Sequence, residues 1–556
     1  RGIARLNRRK RILLRVIGRT RHHHRTRRPL NTFPSALRLN GLVRTGPVNI
    51  CRRDVRLILA MIDAGLKDQQ IHAFFSQPGH DFNPREILEL RSANRSSLPP
   101  PATRAELQAF LDGWSTYPPH SYFWHYCGDQ GFFEDAWLVE YRFHPVGQGM
   151  LHSGALRQGR RQPFTWIYDC GSVTAAAQVE SELDALCTAR NAAPGSKPKL
   201  DFVALSHFDA DHISGLVHLL GLFEVKMILL PFLQLWQRFW IAASADDLDA
   251  AFLQFLVDPA GYLRGVDGGG EARIVFVPPS AGDPPPAPDF DPPEGPRVGL
   301  DDRPMKLRLE TDRVPDVVDG EIPDVTGQRL SAAEFLKVGS VLDIDGLWEF
   351  VPYNDAHQAK RCPAGFPATV EPLIKTLLAA GNPADRKTAQ DALKAHYDTT
   401  FGDSAYRRNI ISLFLYGGPV STPADAYFET GETRLGNMAW SHEPDRSGLS
   451  ITHFSILFTG DGSLNSKPRR TGFENFFTPY GRLDKASVFQ VMHHGASGNS
   501  SPEVAALVAP RASIFCSDPS KGQKHPDAAV LRQFWPYNCI QVDDAIGWQM
   551  LGLFVF

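Results

Sequence analysis

The chain has 556 residues, 43% hydrophobic and 22% charged, with no uncharged apolar run of about 18 residues. These values exclude a disordered, collagenous, disulfide-scaffold or helical membrane-spanning protein, and the length calls for two or three domains. The net charge of −2 hides an asymmetry: residues 1–50 hold 14 of the 59 Lys and Arg and no acid, so 51–556 carry 45 bases against 61 acids, a balance of −16.

Residues 1–50 read as a basic, unfolded leader without the apolar core of a secretory signal. An organelle transit peptide, a nucleic-acid-binding arm and upstream sequence outside the natural frame fit it equally. The seven cysteines are scattered, with no C-x-x-C pair. That pattern predicts a reducing, cytoplasmic compartment and no Cys-ligated zinc.

Residues 51–92 carry three helical patterns: Asp54 to Gly65, a segment marked by Ile71, Phe74 and Phe75, and Arg85 to Arg91. They read as a helix-turn-helix-like module, although Gln77 to Asn83 is long for its turn, and a plain helical cap fits as well. Residues 93–136, opening on a Ser/Pro/Arg-rich stretch, read as a linker. From 137 to 556 strand-like runs alternate with helical ones: Trp166–Asp169, Asp201–Leu205, Val225–Leu230, Ile410–Leu415, His453–Phe458, Val488–Met492 and Ala512–Cys516 as strands; Ala175–Arg190, Pro502–Leu507 and Pro526–Phe534 as helices. Layered sheets with helices outside are expected. Residues 278–400 read as an insertion, opened by the Pro/Gly/Asp-dense stretch Pro278 to Pro304.

The chemistry concentrates in Ser206-His-Phe-Asp-Ala-Asp-His-Ile-Ser-Gly215. A buried strand ends at His207, Asp209, Asp211 and His212. Imidazole nitrogens and carboxylate oxygens at this density suit divalent cations, and Gly215 permits the turn into a helix.

That loop resembles the His-x-His-x-Asp-His signature of the metallo-β-lactamase superfamily. Asp209 in place of its second His is similar to the subgroup in the soluble domain of ComEC-type DNA-uptake proteins. Further segments resemble that subgroup in order: Val146-Gly-Gln-Gly149, Ile167-Tyr-Asp-Cys-Gly171, Asn409-Ile-Ile-Ser-Leu413, Phe458-Thr-Gly-Asp461, His493-His-Gly-Ala-Ser-Gly-Asn-Ser500 and Lys524-His-Pro526. The likeness spans about residues 140–556. Two positions depart from it: Met150 follows the opening turn where the subgroup has an acid, and Ala496 stands where Ser is common. The histidine that most of the superfamily carries between the signature loop and the bridging Asp has no counterpart, since His357 and His396 lie in the insertion.

The resemblance implies an α/β fold, a four-layer αβ/βα sandwich, holding two divalent ions, zinc or manganese. His207, Asp209, Asp211, His212, Asp461, His493, His494 and His525 are the implied ligands. Asp461 bridges, and Asp211, His212 and Asp461 carry the chemistry. Which of His493 and His494 faces the metal stays open. The function expected is metal-assisted hydrolysis of a phosphodiester, with nucleic acid or a small phosphodiester as partner and no membrane. Hydrolysis of a small substrate (cyclic nucleotide, phosphoester, thioester or lactone) and a non-catalytic, metal-stabilised binding protein are the alternatives.

Overall fold

A computed structural model describes residues 52–75, 84–113, 137–158, 161–190, 196–245, 248–280, 284–285, 304–312, 333–355, 362–402, 412–421, 425–434, 455–522 and 525–555. The basic leader, Asn409, His357 and Lys524 lie outside the described residues. The chain divides into two compact units, Arg1–Ala136 and Trp137–Phe556.

In the first unit the helices Arg52–Asp63, Asp68–Phe75, Pro84–Ser92 and Arg104–Gly113 bury Leu57, Ile58, Met61, Ile71, Phe75, Ile87 and Phe110 in one core. The fourth helix lies within the linker expected at 93–136, of which residues 114–136 are outside the described residues. Thr103 and Glu106 form a capping box at its start, and the ring of Phe110 stacks on Phe75 at 5.7 Å. The joint expected of a helix-turn-helix, residues 76–83, lies outside the described residues. Arg56, Arg91 and Arg95 pair with Glu106, Asp68 and Asp63.

The second unit contains β1 (Trp137–Phe143), β2 (Gly149–Gln158), β3 (Phe164–Ser172), β4 (Lys199–Leu200), β5 (Phe202–Ala204), β6 (Glu224–Val225), β7 (Met227–Pro231), β8 (Arg273–Val277), β9 (Leu307–Arg308) and β10 (Thr311–Asp312). They are followed by β11 (Glu334–Leu336), β12 (Leu342–Ile344), β13 (Trp348–Asn354), β14 (Leu413–Pro419), β15 (Asp425–Arg434), β16 (Ser455–Phe458), β17 (Ala486–Gln490), β18 (Ala512–Cys516), β19 (Cys539–Val542) and β20 (Ile546–Val555). Among the described residues one sheet runs β10-β11-β8-β7-β5-β3-β2-β1-β20-β15 and the other β19-β18-β17-β16-β14-β13-β12-β9. Each has a parallel half, β3-β5-β7-β8 and β16-β17-β18-β19, joined to an antiparallel half.

Side-chain alternation sets the layers. Trp166, Tyr168, Phe202, Ala204, Ile456, Phe458 and Val488 point between the sheets, where Phe350 meets the edge of Trp166 at 5.0 Å and Phe202 at 4.8 Å. Their neighbours Ile167, Val203 and Leu205 face outward under the helices Ala176–Ala189 and Leu216–Leu222. Leu457 and Phe489 face outward under Lys467–Phe477, Pro502–Val508 and Ala528–Phe534. The fold is therefore a four-layer αβ/βα sandwich.

The insertion expected at 278–400 is corrected in part. β11 to β13 belong to the two sheets, and β13 pairs along its whole length with β14. Short runs and Pro352 inside β13 mask this in the sequence. The helices Phe366–Ala379 and Pro383–Phe401 do add to the outer layer, where Phe401 stacks on Trp236 at 5.7 Å and Tyr397 on Trp240 at 5.6 Å. Met150 is buried between the sheets.

Candidate metal centre

In parallel sheets, ligands collect at the carboxyl ends of the strands. Here Asp169 is the unpaired residue at a register shift near the end of β3, β5 leads into Ser206 and His207, β16 into Asp461, β17 into His493 and His494, and β18 into the segment bearing His525. Two glycines allow the loops to touch. A Cβ on Gly171 would lie 2.6 Å from Ala210 O, and one on Gly460 (φ +51°) would lie 2.5 Å from the Cβ of Ser206. The Asp-x-Gly turn thus backs onto the signature loop, and the Thr-Gly-Asp turn of the other sheet faces it.

Asp461 sits in the middle, 1% exposed, with its two oxygens on two different groups. Oδ1 lies 3.2 Å from His212 Nε2 and 3.6 Å from His494 Nε2. Asp211 Oδ2 completes that set at 3.6 Å from His212 Nε2 and 3.1 Å from His494 Nε2. Bonds of about 2.0–2.2 Å to one ion place tetrahedral donors roughly 3.3–3.6 Å apart, so these four atoms fit a single cation. Asp461 Oδ2 lies 3.7 Å from His207 Nε2 and 3.4 Å from His493 Nε2, and Asp209 Oδ2 is 3.9 Å from His207 Nε2. Asp211 also groups with His207 and Asp209. This second set is wider and more open.

The other nitrogen of each imidazole is occupied. His212 Nδ1–H donates to Asp169 Oδ2 at 2.7 Å, and His207 Nδ1–H to Ser206 Oγ at 2.9 Å, which in turn donates to Asp169 Oδ2 at 2.6 Å. His493 Nδ1–H donates to Asn499 Oδ1 at 3.0 Å and His494 Nδ1–H to the Cys516 carbonyl. All four rings are therefore held as tautomers whose Nε2 lone pair faces the carboxylates. Nε2 of His207 and of His212 is buried and makes no hydrogen bond, which is costly unless another group takes the lone pair. The donor set and its orphaned nitrogens fit divalent cations.

The charges of the cluster act strongly on one another. Burial alone would raise the carboxyl of Asp461, yet His493, His494 and His212 hold it well below the usual range. Burial is likewise overcome at Asp211, brought down to about 2 by His212 and His494. Burial pushes His207 down to about 4, whereas Asp211, Asp169 and Asp461 outweigh burial at His212 and raise it. Asp169 (φ +56°), His493 (φ +44°) and His494 (φ +57°) all occupy the left-handed region. Non-glycine residues there cost of order 1–3 kcal/mol each, and such strain gathers at functional sites.

Of the residues expected from sequence, His207, Asp209, Asp211, His212, Asp461, His493 and His494 come together. Both members of the His pair reach Asp461, one at each oxygen. His525 stays outside both groups: its ring packs on His493 with centroids 5.6 Å apart, and its Nδ1 lies 3.6 Å from Asp527 Oδ1. His396 is bound to Thr369 on the outer helices. Three supporting residues carried no expected role. Asp169 anchors both His207 and His212; Gln490 Oε1 accepts from Thr459 N–H and Gly460 N–H; Ser412 Oγ accepts from Asp461 N–H at 3.1 Å. For Asp169 the signal was available, a carboxylate two residues before a glycine near the end of an apolar strand.

No family model matches the sequence, and no curated protein matches it. Among solved structures, a long form RNase Z from yeast aligns at TM-score 0.25 and 9% identity, over 76% of this chain and 42% of that one. The chain thus spans less than half the length of that structure, and a likeness this slight transfers no activity.

Proposed function

We propose that the chain is a metal-dependent hydrolase of phosphodiesters, with nucleic acid or a small phosphodiester as the substrate class. The observation that carries this reading is Asp461, whose two oxygens address two donor sets at once. A shared carboxylate of this kind is what a two-cation site requires. Two divalent cations, when bound there, make a water acidic enough to attack near neutral pH and offset charge on the substrate's oxygens.

The chain's own residues do the rest. Asp211, His212, His494 and Asp461 Oδ1 would hold one cation; His207, Asp209, His493 and Asp461 Oδ2 would hold the other. Asp169 locks the tautomers of His207 and His212, so neither ring turns when charge moves in front of it. Asp209 and Asp211, the carboxylates nearest solvent, border the mouth and orient water. Zinc and manganese both suit the mixed nitrogen and oxygen set.

A second reading, hydrolysis of a small substrate, is favoured by charge. The balance of −16 beyond residue 50 gives no net attraction to a nucleic-acid backbone there, and Arg56, Arg91 and Arg95 are paired with acids. The test is metal-dependent cleavage of single-stranded DNA, double-stranded DNA, RNA and bis-p-nitrophenyl phosphate by metal-loaded protein. Polymer cleavage supports the first reading and cleavage of the small ester alone the second. Silence with both cations bound overturns the assignment as a hydrolase.

A further inference from the structure

Asn499 is buried between two loops of the centre, and both ends of its side-chain amide are bonded. Oδ1 accepts from His493 Nδ1–H at 3.0 Å, while Nδ2–H donates to the carbonyls of Asp461 at 2.9 Å and Gly462 at 3.2 Å. Turning the amide over would set Nδ2–H against His493 Nδ1–H and Oδ1 against two carbonyl oxygens. The three partners therefore fix its orientation, and with it the tautomer of His493. Main-chain bonds hold Asn499 itself: its N–H donates to Ala496 O at 3.1 Å, and its carbonyl accepts from Leu464 N–H at 2.8 Å.

The supports behind the four histidines differ in reach. Asp169 stands behind His207, through Ser206, and behind His212, so it serves one histidine in each donor set. The Cys516 carbonyl behind His494 is main chain. Asn499 supports by its side chain and serves a single set, the wider one of His207, Asp209, His493 and Asp461 Oδ2. The turn at Asp461 has holds of its own whichever residue stands at 499: Ser412 Oγ accepts from Asp461 N–H, and Gly462 N–H donates to Thr459 O at 2.9 Å.

We propose that Asn499 is the positioning residue of that wider set: it presents Nε2 of His493 to the second cation, and so governs the affinity for one ion of the two. This rests on the two-cation reading of the same centre. A wide, partly exposed set has less packing to orient its donors than the compact one, so a hydrogen bond behind one of its rings carries more of the coordination geometry. The two affinities are then separable by a residue that touches neither ion.

The experiment titrates cobalt(II) into metal-stripped wild type, Asn499→Ala, Asn499→Asp and His493→Ala by calorimetry, with denaturant unfolding of the stripped proteins alongside. His493→Ala identifies which binding step belongs to the wider set. That step is expected to weaken about 10–100-fold in Asn499→Ala, and the other to keep its wild-type affinity. Asn499→Asp keeps an acceptor for His493 Nδ1–H and gives up both donors to the Asp461 turn, so its affinity at that step is expected to stay close to wild type. Asn499→Leu, of similar volume, takes the place of the alanine variant if that one does not fold. Equal weakening of both steps, or of neither, overturns the proposal. An Asn499→Asp variant as weak as Asn499→Ala also overturns it, because the effect then runs through the turn and not through His493. A wild type that takes up a single ion overturns the two-cation reading and this proposal together. Two ions, the split in affinity and no ester cleavage overturn the hydrolase reading alone.

Discussion

Two groups of buried histidines in the same sandwich differ in one respect. His144 is sealed: Nδ1 pairs with Glu182 Oε2 at 2.7 Å, Nε2 with Ser153 Oγ at 2.8 Å, and nothing is left over. His207 and His212 are equally buried and equally anchored through Nδ1, yet Nε2 of each is orphaned and aimed at carboxylates. A third case, His152, has neither nitrogen paired, but its neighbours are the rings of Tyr141, Phe143 and Phe458. An orphaned nitrogen alone therefore does not mark a site. An orphaned nitrogen sharing its space with several carboxylates does, because a divalent cation satisfies them all together.

The strongest way to break this contrast is Asp461→Ala. Removing the shared carboxylate is expected to lower occupancy of both donor sets together and to cut hydrolysis by at least ~10³-fold. Elemental analysis showing full occupancy would remove the bridging assignment. Next in size is the pair Asp169→Asn and Glu182→Gln. Asparagine tolerates the left-handed backbone of residue 169 but replaces the carboxylate behind His207 and His212, so metal affinity should fall by about 10–100-fold. Glu182→Gln should cost about 1–3 kcal/mol of stability and leave metal affinity untouched. Metal titration of both, beside denaturant unfolding, separates the two kinds of histidine; equal metal affinities would erase the distinction.

His152→Phe sharpens the third case. Burial holds His152 well below its ordinary 6.5, so the folded state keeps it neutral while the unfolded chain takes up a proton below that pH. Stability is then lost as pH falls from 6.5 towards the folded value, by up to ~1.4 kcal/mol per pH unit for this one group. The phenylalanine variant should show a shallower decline between pH 7.5 and 5.5 in metal-stripped protein, and identical slopes would mean that His152 finds a partner. The smallest effect is expected for Asp209→His. Exchanging an oxygen donor for nitrogen should move the manganese-to-zinc activity ratio a few-fold towards zinc, read after chelation and reloading. An unchanged ratio would show that Asp209 does not set the preference.

The site was legible where its residues are contiguous. His207 to His212 fall within six positions after an apolar strand, and the Thr-Gly-Asp and His-His-Gly turns each end a strand of β-branched and aromatic residues. What supports them was not. Asp169 lies 37 residues from Ser206, and Ser412 lies 49 from Asp461, so only the folded chain brings them together. The sequence also could not divide His493 from His494, because their opposite aim depends on two consecutive left-handed residues. In the fold, the parallel halves announced themselves as apolar runs. β11 and β12, three residues each, and β13, interrupted by Pro352, gave too short a pattern to distinguish from an excursion.

The donor sets also have a mechanical meaning. His207 through His212 leave the ten-stranded sheet, whereas Asp461, His493 and His494 leave the eight-stranded one. At this edge the sheets are otherwise stitched by Leu413 N–H to Ser206 O at 2.7 Å and Tyr168 Oη–H to Leu413 O at 2.6 Å. Each cation bound here would act as a rivet through both sheets. Sliding one sheet past the other by about an ångström would spoil both coordination sets together, given the ±0.2 Å tolerance of such bonds. Loading the ions should then resist exactly that shear, and heat should loosen the loaded sandwich last at this end.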